Sequence, residues 1–174
     1  IPGHGRAVAD SHHHLPRVTA TEAQLAVDLA PFTALADAPM AMTAHILYEA
    51  WDQAHCATLS STVIRSIIRE RIGFNGLLMS DDLDMKALKG DVPALAAAAI
   101  QAGCDVVLNC WGNMVDMQGI AERLPEATLT MRHRLHSAMA SVRGLAEDAT
   151  GGQRQRALMA DRDALLQSLM GGAG

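Results

Sequence analysis

Apolar positions along the chain alternate between short continuous runs and helix-spaced stripes. TEAQLAVDLAPF, Thr21 to Phe32, carries Leu25, Leu29 and Phe32 at helical spacing, with Thr21 placed to cap. PMAMTAHI, Pro39 to Ile46, is a short apolar run that begins at a proline and predicts a buried strand ending near His45. LSSTVIRSIIRERIGF then sets Val63, Ile64, Ile67, Ile68 and Ile72 on one helix face. It leaves the arginines and Glu70 for the other face and offers Gly73 as a stop. GLLMS, Gly76 to Ser80, predicts a second buried strand and runs directly into DDLDM. DVPALAAAAIQAG predicts a helix with Asp91 as cap, Pro93 in the first turn and Gly103 at the end. DVVLNC, Asp105 to Cys110, predicts a third strand. The remainder reads as helix, with Leu135, Met139 and Val142 on one face. After the Gly151-Gly152 break, Leu158, Leu165 and Leu169 are placed similarly.

Continuous apolar strands alternating with amphipathic helices predict parallel βαβ units. In such folds chemistry gathers at the C-terminal ends of the strands. Three polar clusters fall there: His45, Asp81 with Asp82, and Asn109. The opening stretch, IPGHGRAVADSHHHLP, has neither period and reads as a long polar functional loop.

Composition narrows the class. With 174 residues and 49% apolar content, the chain suits one domain with a real core, and disorder is not expected. A formal net charge of -5 without a basic run argues against nucleic acid or an anionic membrane as the main partner. No apolar stretch reaches the roughly 18 residues of a membrane span, and a start inside a polar loop does not read as a signal peptide. Three cysteines, Cys56, Cys104 and Cys110, match no zinc or redox spacing and read as small buried residues in a reducing compartment.

Two groups can carry chemistry. Asp81, after Ser80 at a predicted strand end, can serve as nucleophile, general base or metal ligand, or as a plain helix N-cap. The adjacent Asp82 weakens the capping reading, because one cap suffices; Asp84 reads as a solvated first-turn acid. In Asp10-Ser11-His12 the acid and the imidazole share one side of an extended loop. A carboxylate on one ring nitrogen fixes the tautomer and leaves the other nitrogen to exchange protons. With an ordinary pKa of about 6.5, imidazole serves as acid and as base near neutrality. The plain alternative is a surface loop with local turns. A metal hydrolase using His4, His12 and His14 finds no support in a helical histidine pair or a partnered cysteine pair.

PGHG, then DSH and LP, resembles the acid/base loop of family 3 glycoside hydrolases of the bacterial β-N-acetylhexosaminidase type. MTAHILYEAWD followed by ATLSSTVIRSIIRERIGFNGLLMSDDLDMKAL is similar to that family's path through its nucleophile strand. AGCDVVLNC resembles its final barrel strand. The resemblance covers nearly all of residues 1 to about 145.

The resemblance implies an α/β fold of the TIM-type (β/α)8 barrel with only its C-terminal part in this chain. Residues 1–174 would form one domain: a catalytic loop over 1–20, βα units over 21–145 and a helical tail over 146–174. It implies retaining exo-β-N-acetylglucosaminidase activity, removing terminal N-acetylglucosamine from cell-wall muropeptides in cytoplasmic peptidoglycan recycling. Asp81 would be the nucleophile, with Asp82 the runner-up, and His12 oriented by Asp10 would be the acid/base. Met85 would line the sugar pocket or anchor its loop, and His45 would support the site from behind. No cofactor or metal is called for. The family's Lys-His pair and earlier barrel strands, with their sugar contacts, would precede Ile1. The partners expected are therefore muropeptides and either that N-terminal half or a second copy, with no nucleic acid and no membrane. The rival is a non-catalytic sugar-binding or relic half-barrel.

Overall fold

The computed structural model describes residues 1–146, with side chains through 141, and residues 155–164. The chain divides into two compact units, Ile1–Ala138 and Met139–Gly174. The first unit contains five short strands: β1 (Arg17–Val18), β2 (Met40–Met42), β3 (Leu47–Tyr48), β4 (Leu77–Asp82) and β5 (Val106–Leu108). The helices are α1 (Glu22–Ala34), α2 (Val63–Arg71), α3 (Val92–Ala102), α4 (Met114–Arg123) and α5 (Leu129–Ala146), which reaches into the second unit. A further helix, α6, covers 155–164. Leu165 and Leu169 lie outside the described residues, as does the side chain of Val142.

All strand pairs are parallel, as the alternation predicts. They form two sheets, β1-β3 and β2-β4-β5, and no closed barrel is present among the described residues. β2 and β5 are sheet edges, and the burial expected of β2 is not found. Met40 and Met42 are 39% and 37% exposed, and all of β5 is half-buried. Burial of a barrel strand needs neighbours on both sides, and here each of these strands has one.

Local chemistry sets the helix ends. Gln24 N–H donates to Thr21 Oγ1 at 3.4 Å, and Thr21 N–H donates to Gln24 Oε1 at 2.9 Å, a reciprocal capping box. Asp91 accepts the Ala94 N–H at 3.3 Å to start α3, and Gly103 ends it at φ 120°, a conformation that favours glycine. A Cβ at Gly76 would lie 2.5 Å from the Ala38 carbonyl, so β4 enters beside the chain leading to β2 only as glycine.

The helix α2 is wound with i→i+5 hydrogen bonds, Ile72 N–H reaching the Ile67 carbonyl at 2.9 Å. Its buried residues come in pairs, Val63 with Ile64 and Ile67 with Ile68, and then Ile72. That spacing of four keeps the pairs on one face of the helix. These side chains join Leu25, Leu29, Phe74, Leu78, Ala99 and Ala102 in one core.

One arginine of α2 does not remain on a solvated face. Arg69 donates to Asp105 at 2.8 Å and to the carbonyls of Phe74 and Gly76 at 3.0 and 2.8 Å. Arg134 donates to the other oxygen of Asp105 at 2.9 Å, and Leu78 N–H donates to the same carboxylate at 2.9 Å. Asp105, its side chain only 7% exposed, thus ties α2 and α5 to the N-terminal ends of β4 and β5. On α5 the buried position is Ala138, whereas Leu135 and Met139 are exposed, contrary to the expected stripe. In α6, Leu158 is exposed as well. No helix of the described residues is long and apolar enough to cross a membrane.

Candidate active site

The strand β4 delivers Asp81 and Asp82 at its C-terminal end, half-buried beside the ends of β2 and β5. Turns follow Asp82, and the next helix, α3, has its own cap in Asp91, so Asp81 is not a helix N-cap. The two carboxylates are held differently. Asp82 Oδ1 accepts the Cys110 N–H at 3.1 Å and the Asp84 N–H at 3.4 Å. Asp81 Oδ1 accepts only the neighbouring Asp82 N–H, at 2.9 Å, and Oδ2 has no hydrogen-bond donor among the described residues. Asp82 is held by two turn amides and Asp81 by one, and the Oδ2 of each has no hydrogen-bond donor among the described residues.

The sheet bends its register to build this end. Leu108 N–H donates to Ser80 Oγ at 2.9 Å instead of a strand carbonyl, and the β4-β5 pairing shifts between Met79 and Asp82. Leu83 N–H then reaches the Leu108 carbonyl at 3.0 Å. Asp84 is not the solvated acid expected: its Oδ2 is buried without a partner, and burial together with Asp82 pushes its pKa up. Met85 and its neighbours Leu83 and Ala87 are buried, which suits the anchoring alternative for Met85. Both amide atoms of Asn109 are buried with no hydrogen-bond partner among the described residues.

The N-terminal loop presents the imidazole. His12 Nδ1 lies 2.8 Å from Asp10 Oδ1, which also accepts the His12 N–H at 2.9 Å. A carboxylate only accepts, so Nδ1 carries the hydrogen and Nε2 is left to exchange a proton. Both side chains are open to solvent, His12 at 72% and Asp10 at 59%. The backbone and side-chain bonds from His12 hold the Asp10 carboxyl below the usual range. The loop is fastened to the core by Tyr48 OH on the Gly3 carbonyl and by Arg6 on Asp28. It is fastened to the turn after β4 by Lys86 N–H on the His12 carbonyl at 3.3 Å. No hydrogen bond joins His12 or Asp10 directly to Asp81 among the described residues. His4 Nε2 contacts Ser11 Oγ at 3.3 Å, and His13 and His14 are exposed.

Behind the carboxylates lies a polar cluster. His45, fully buried, sets Nε2 2.9 Å from the Asp82 carbonyl and Nδ1 2.8 Å from Thr58 Oγ1. Thr58 Oγ1 is 2.9 Å from Thr43 Oγ1, which accepts the Asp81 N–H at 3.3 Å. The sequence pointed to His45 but not to these threonines. Their only signal was position, Thr43 near the end of a predicted strand and Thr58 in a polar segment before a helix.

The site thus combines a parallel α/β scaffold, two carboxylates at a strand end and an aspartate-held imidazole on an adjoining loop. Residues 1–144 match the glycosyl hydrolase family 3 N terminal domain. The chain belongs to glycosyl hydrolase family 3. Over 97% of its length it is 38% identical to the beta-hexosaminidase of Methylococcus capsulatus, covering 47% of that protein. It is 47% identical to the beta-hexosaminidase of Chromobacterium violaceum over 63% of its length and 32% of that protein's. Its fold is similar to NagZ from Neisseria gonorrhoeae in complex with N-trifluoroacetyl-D-glucosamine. That match has a TM-score of 0.70 and 28% identity, over 89% of this chain and 47% of the other. The chain spans about a third to a half of the length of these relatives.

Proposed function

We propose that this chain supplies the bond-breaking groups of a retaining exo-β-N-acetylglucosaminidase. The observation that carries the reading is the Asp10–His12 contact at 2.8 Å on a loop bonded to the turn after Asp81. Asp81 attacks the anomeric carbon of a terminal N-acetylglucosamine. The imidazolium of His12 gives its Nε2 proton to the departing glycosidic oxygen, and a glycosyl ester on Asp81 remains. The neutral imidazole then takes a proton from water as the water attacks that carbon, so Asp81 leaves and the anomeric configuration is retained. Asp10 steadies the ring through both steps. Retaining glycosidases generally use a second carboxyl group for the proton transfers. An imidazole in that place is neutral, not anionic, as the acid departs.

Cell-wall muropeptides are the proposed substrates, and cytoplasmic peptidoglycan recycling the proposed setting, on the strength of the beta-hexosaminidase and NagZ relatives. The test is turnover of a nitrophenyl N-acetyl-β-glucosaminide by the chain joined to the N-terminal half of a relative, with the product anomer read by NMR. β-Anomer formed first supports double displacement. No turnover at any enzyme concentration would favour a sugar-binding or relic half-barrel instead.

A further inference from the structure

We propose that Thr43, Thr58 and His45 are positioning residues for Asp81. Together they form a one-way hydrogen-bond chain from the Asp81 N–H to the Asp82 carbonyl that fixes this two-residue step. The role in catalysis rests on the reading of Asp81 as nucleophile; the direction of the chain does not.

Counting hydrogens settles the direction. The Asp82 carbonyl can only accept, so His45 Nε2, 2.9 Å away, carries a hydrogen. In a neutral ring Nδ1 is then an acceptor, and the only hydroxyl hydrogen of Thr58 goes to it across 2.8 Å. Thr58 has no second hydrogen, so the 2.9 Å contact with Thr43 is donated by Thr43. Thr43 Oγ1 in turn accepts the Asp81 N–H at 3.3 Å. The opposite tautomer would set a bare Nε2 lone pair against a carbonyl oxygen.

All three side chains are buried, and each of these bonds has its donor and its acceptor. Burial also lowers the His45 pKa, outweighing the raising effect of the Asp82 carbonyl and the charges of Asp81 and Asp82. The cluster is closed below by Cys104, whose thiol meets the Thr58 carbonyl at 3.8 Å.

The chain replaces a missing strand. Because β2 ends at Met42, the Asp81 N–H lies beyond the last residue paired between β2 and β4, and the Thr43 side chain takes it. On the other side of β4 the Leu83 N–H is held by the Leu108 carbonyl at 3.0 Å. The peptides before and after the Asp81–Asp82 peptide are thereby held, the first by Thr43 just past β2 and the second by His45 and β5, and Asp81 keeps mainly the freedom of its side chain. A nucleophile held this way arrives already aligned, which is where much of the gain from orientation lies.

The experiment is nitrogen-15 NMR of the full chain, in solution or as a sedimented solid, read with Thr58→Val and Thr58→Ser. The parent is expected to show His45 neutral with its hydrogen on Nε2 at neutral pH. Thr58→Val should speed hydrogen exchange of the Asp81 amide about five- to tenfold relative to the Ala99 amide in α3, and Thr58→Ser should restore it. An Nδ1–H ring or an imidazolium would overturn the chain, even if Thr58→Val does not fold. Unchanged Asp81 exchange in a folded Thr58→Val would overturn it too. In the barrel joined to a relative's N-terminal half, trapping of a fluorosugar on Asp81 should slow by a similar factor in Thr58→Val and recover in Thr58→Ser. Absence of any trapping in the parent would count against the hydrolase reading alone, since the ring nitrogens and amide exchange are read without substrate.

Discussion

Removing the two adjacent carboxylates one at a time separates chemistry from scaffolding. Asp82→Ala takes the acceptor from the Cys110 and Asp84 amides, at 3.1 and 3.4 Å. A hydrogen bond to a charged group contributes about 1.5–3 kcal/mol. The second bond is long and the side chain half-buried, so the loss should centre on about 2 kcal/mol, within the range for one such bond. Its effect on rate comes through misplacement of the turn, worth about 10²-fold at most. Asp81→Ala leaves the Cys110 and Asp84 amides bonded, takes the acceptor from the Asp82 N–H alone, and removes the atom that forms the new bond, for which losses of about 10⁴–10⁶-fold are usual. The assay is kcat/KM on a nitrophenyl N-acetyl-β-glucosaminide in the completed barrel, with a melting curve for each variant. A slow fluorinated substrate followed by peptide mass mapping locates the adduct. An adduct on Asp82, or equal rate losses with an undisturbed Asp82→Ala melting curve, would refute the assignment.

Three further outcomes are expected. His12→Ala should cost about 10²–10⁴-fold on substrates with sugar leaving groups and far less on nitrophenyl substrates, which need little protonation; equal losses would remove His12 from the acid role. Asp10, with its pKa depressed in the folded chain, contributes stability present above the unfolded value of about 3.9 and lost as pH falls through the folded pKa; a carboxyl-carbon NMR titration of Asp10 with its midpoint at or above that value would contradict the His12 contact. Asp105→Ala should destabilise the first unit by about 2–4 kcal/mol in denaturant unfolding, because it leaves the half-buried Arg69 and Arg134 without their shared anion; a change under about 1 kcal/mol would mean the cluster is structurally idle.

The elements written in local chemistry were legible beforehand. Thr21 and Asp91 cap, Gly103 stops, and GLLMS runs into its two aspartates as a strand, because caps, left-handed glycines and apolar runs act over a few residues. The Asp10–His12 pair was legible for the same reason, being two residues apart. Burial of β2 was misjudged because periodicity does not say whether a strand has one neighbour or two. The strands β1 and β3 are only two residues each, too short to show a period. The Thr43–Thr58 contact joins common residue types 15 positions apart, and Asp105 meets arginines 36 and 29 positions away, so only the fold reveals either. The π winding of α2 was not legible, because apolar pairs four residues apart fit an ordinary helical stripe equally well.

The bond from Lys86 N–H to the His12 carbonyl bears on how turnover is synchronised. A double displacement asks one imidazole to surrender a proton and later reclaim one, while the carboxylate it serves stays covalently occupied in between. Here the loop that bears the imidazole is moored to the turn that follows this carboxylate. The loop is thereby referenced to the same strand end that carries the carboxylate, β4 ending four residues before Lys86. Under the proposed double displacement, motion elsewhere would admit sugar or release product while this tie stays in place.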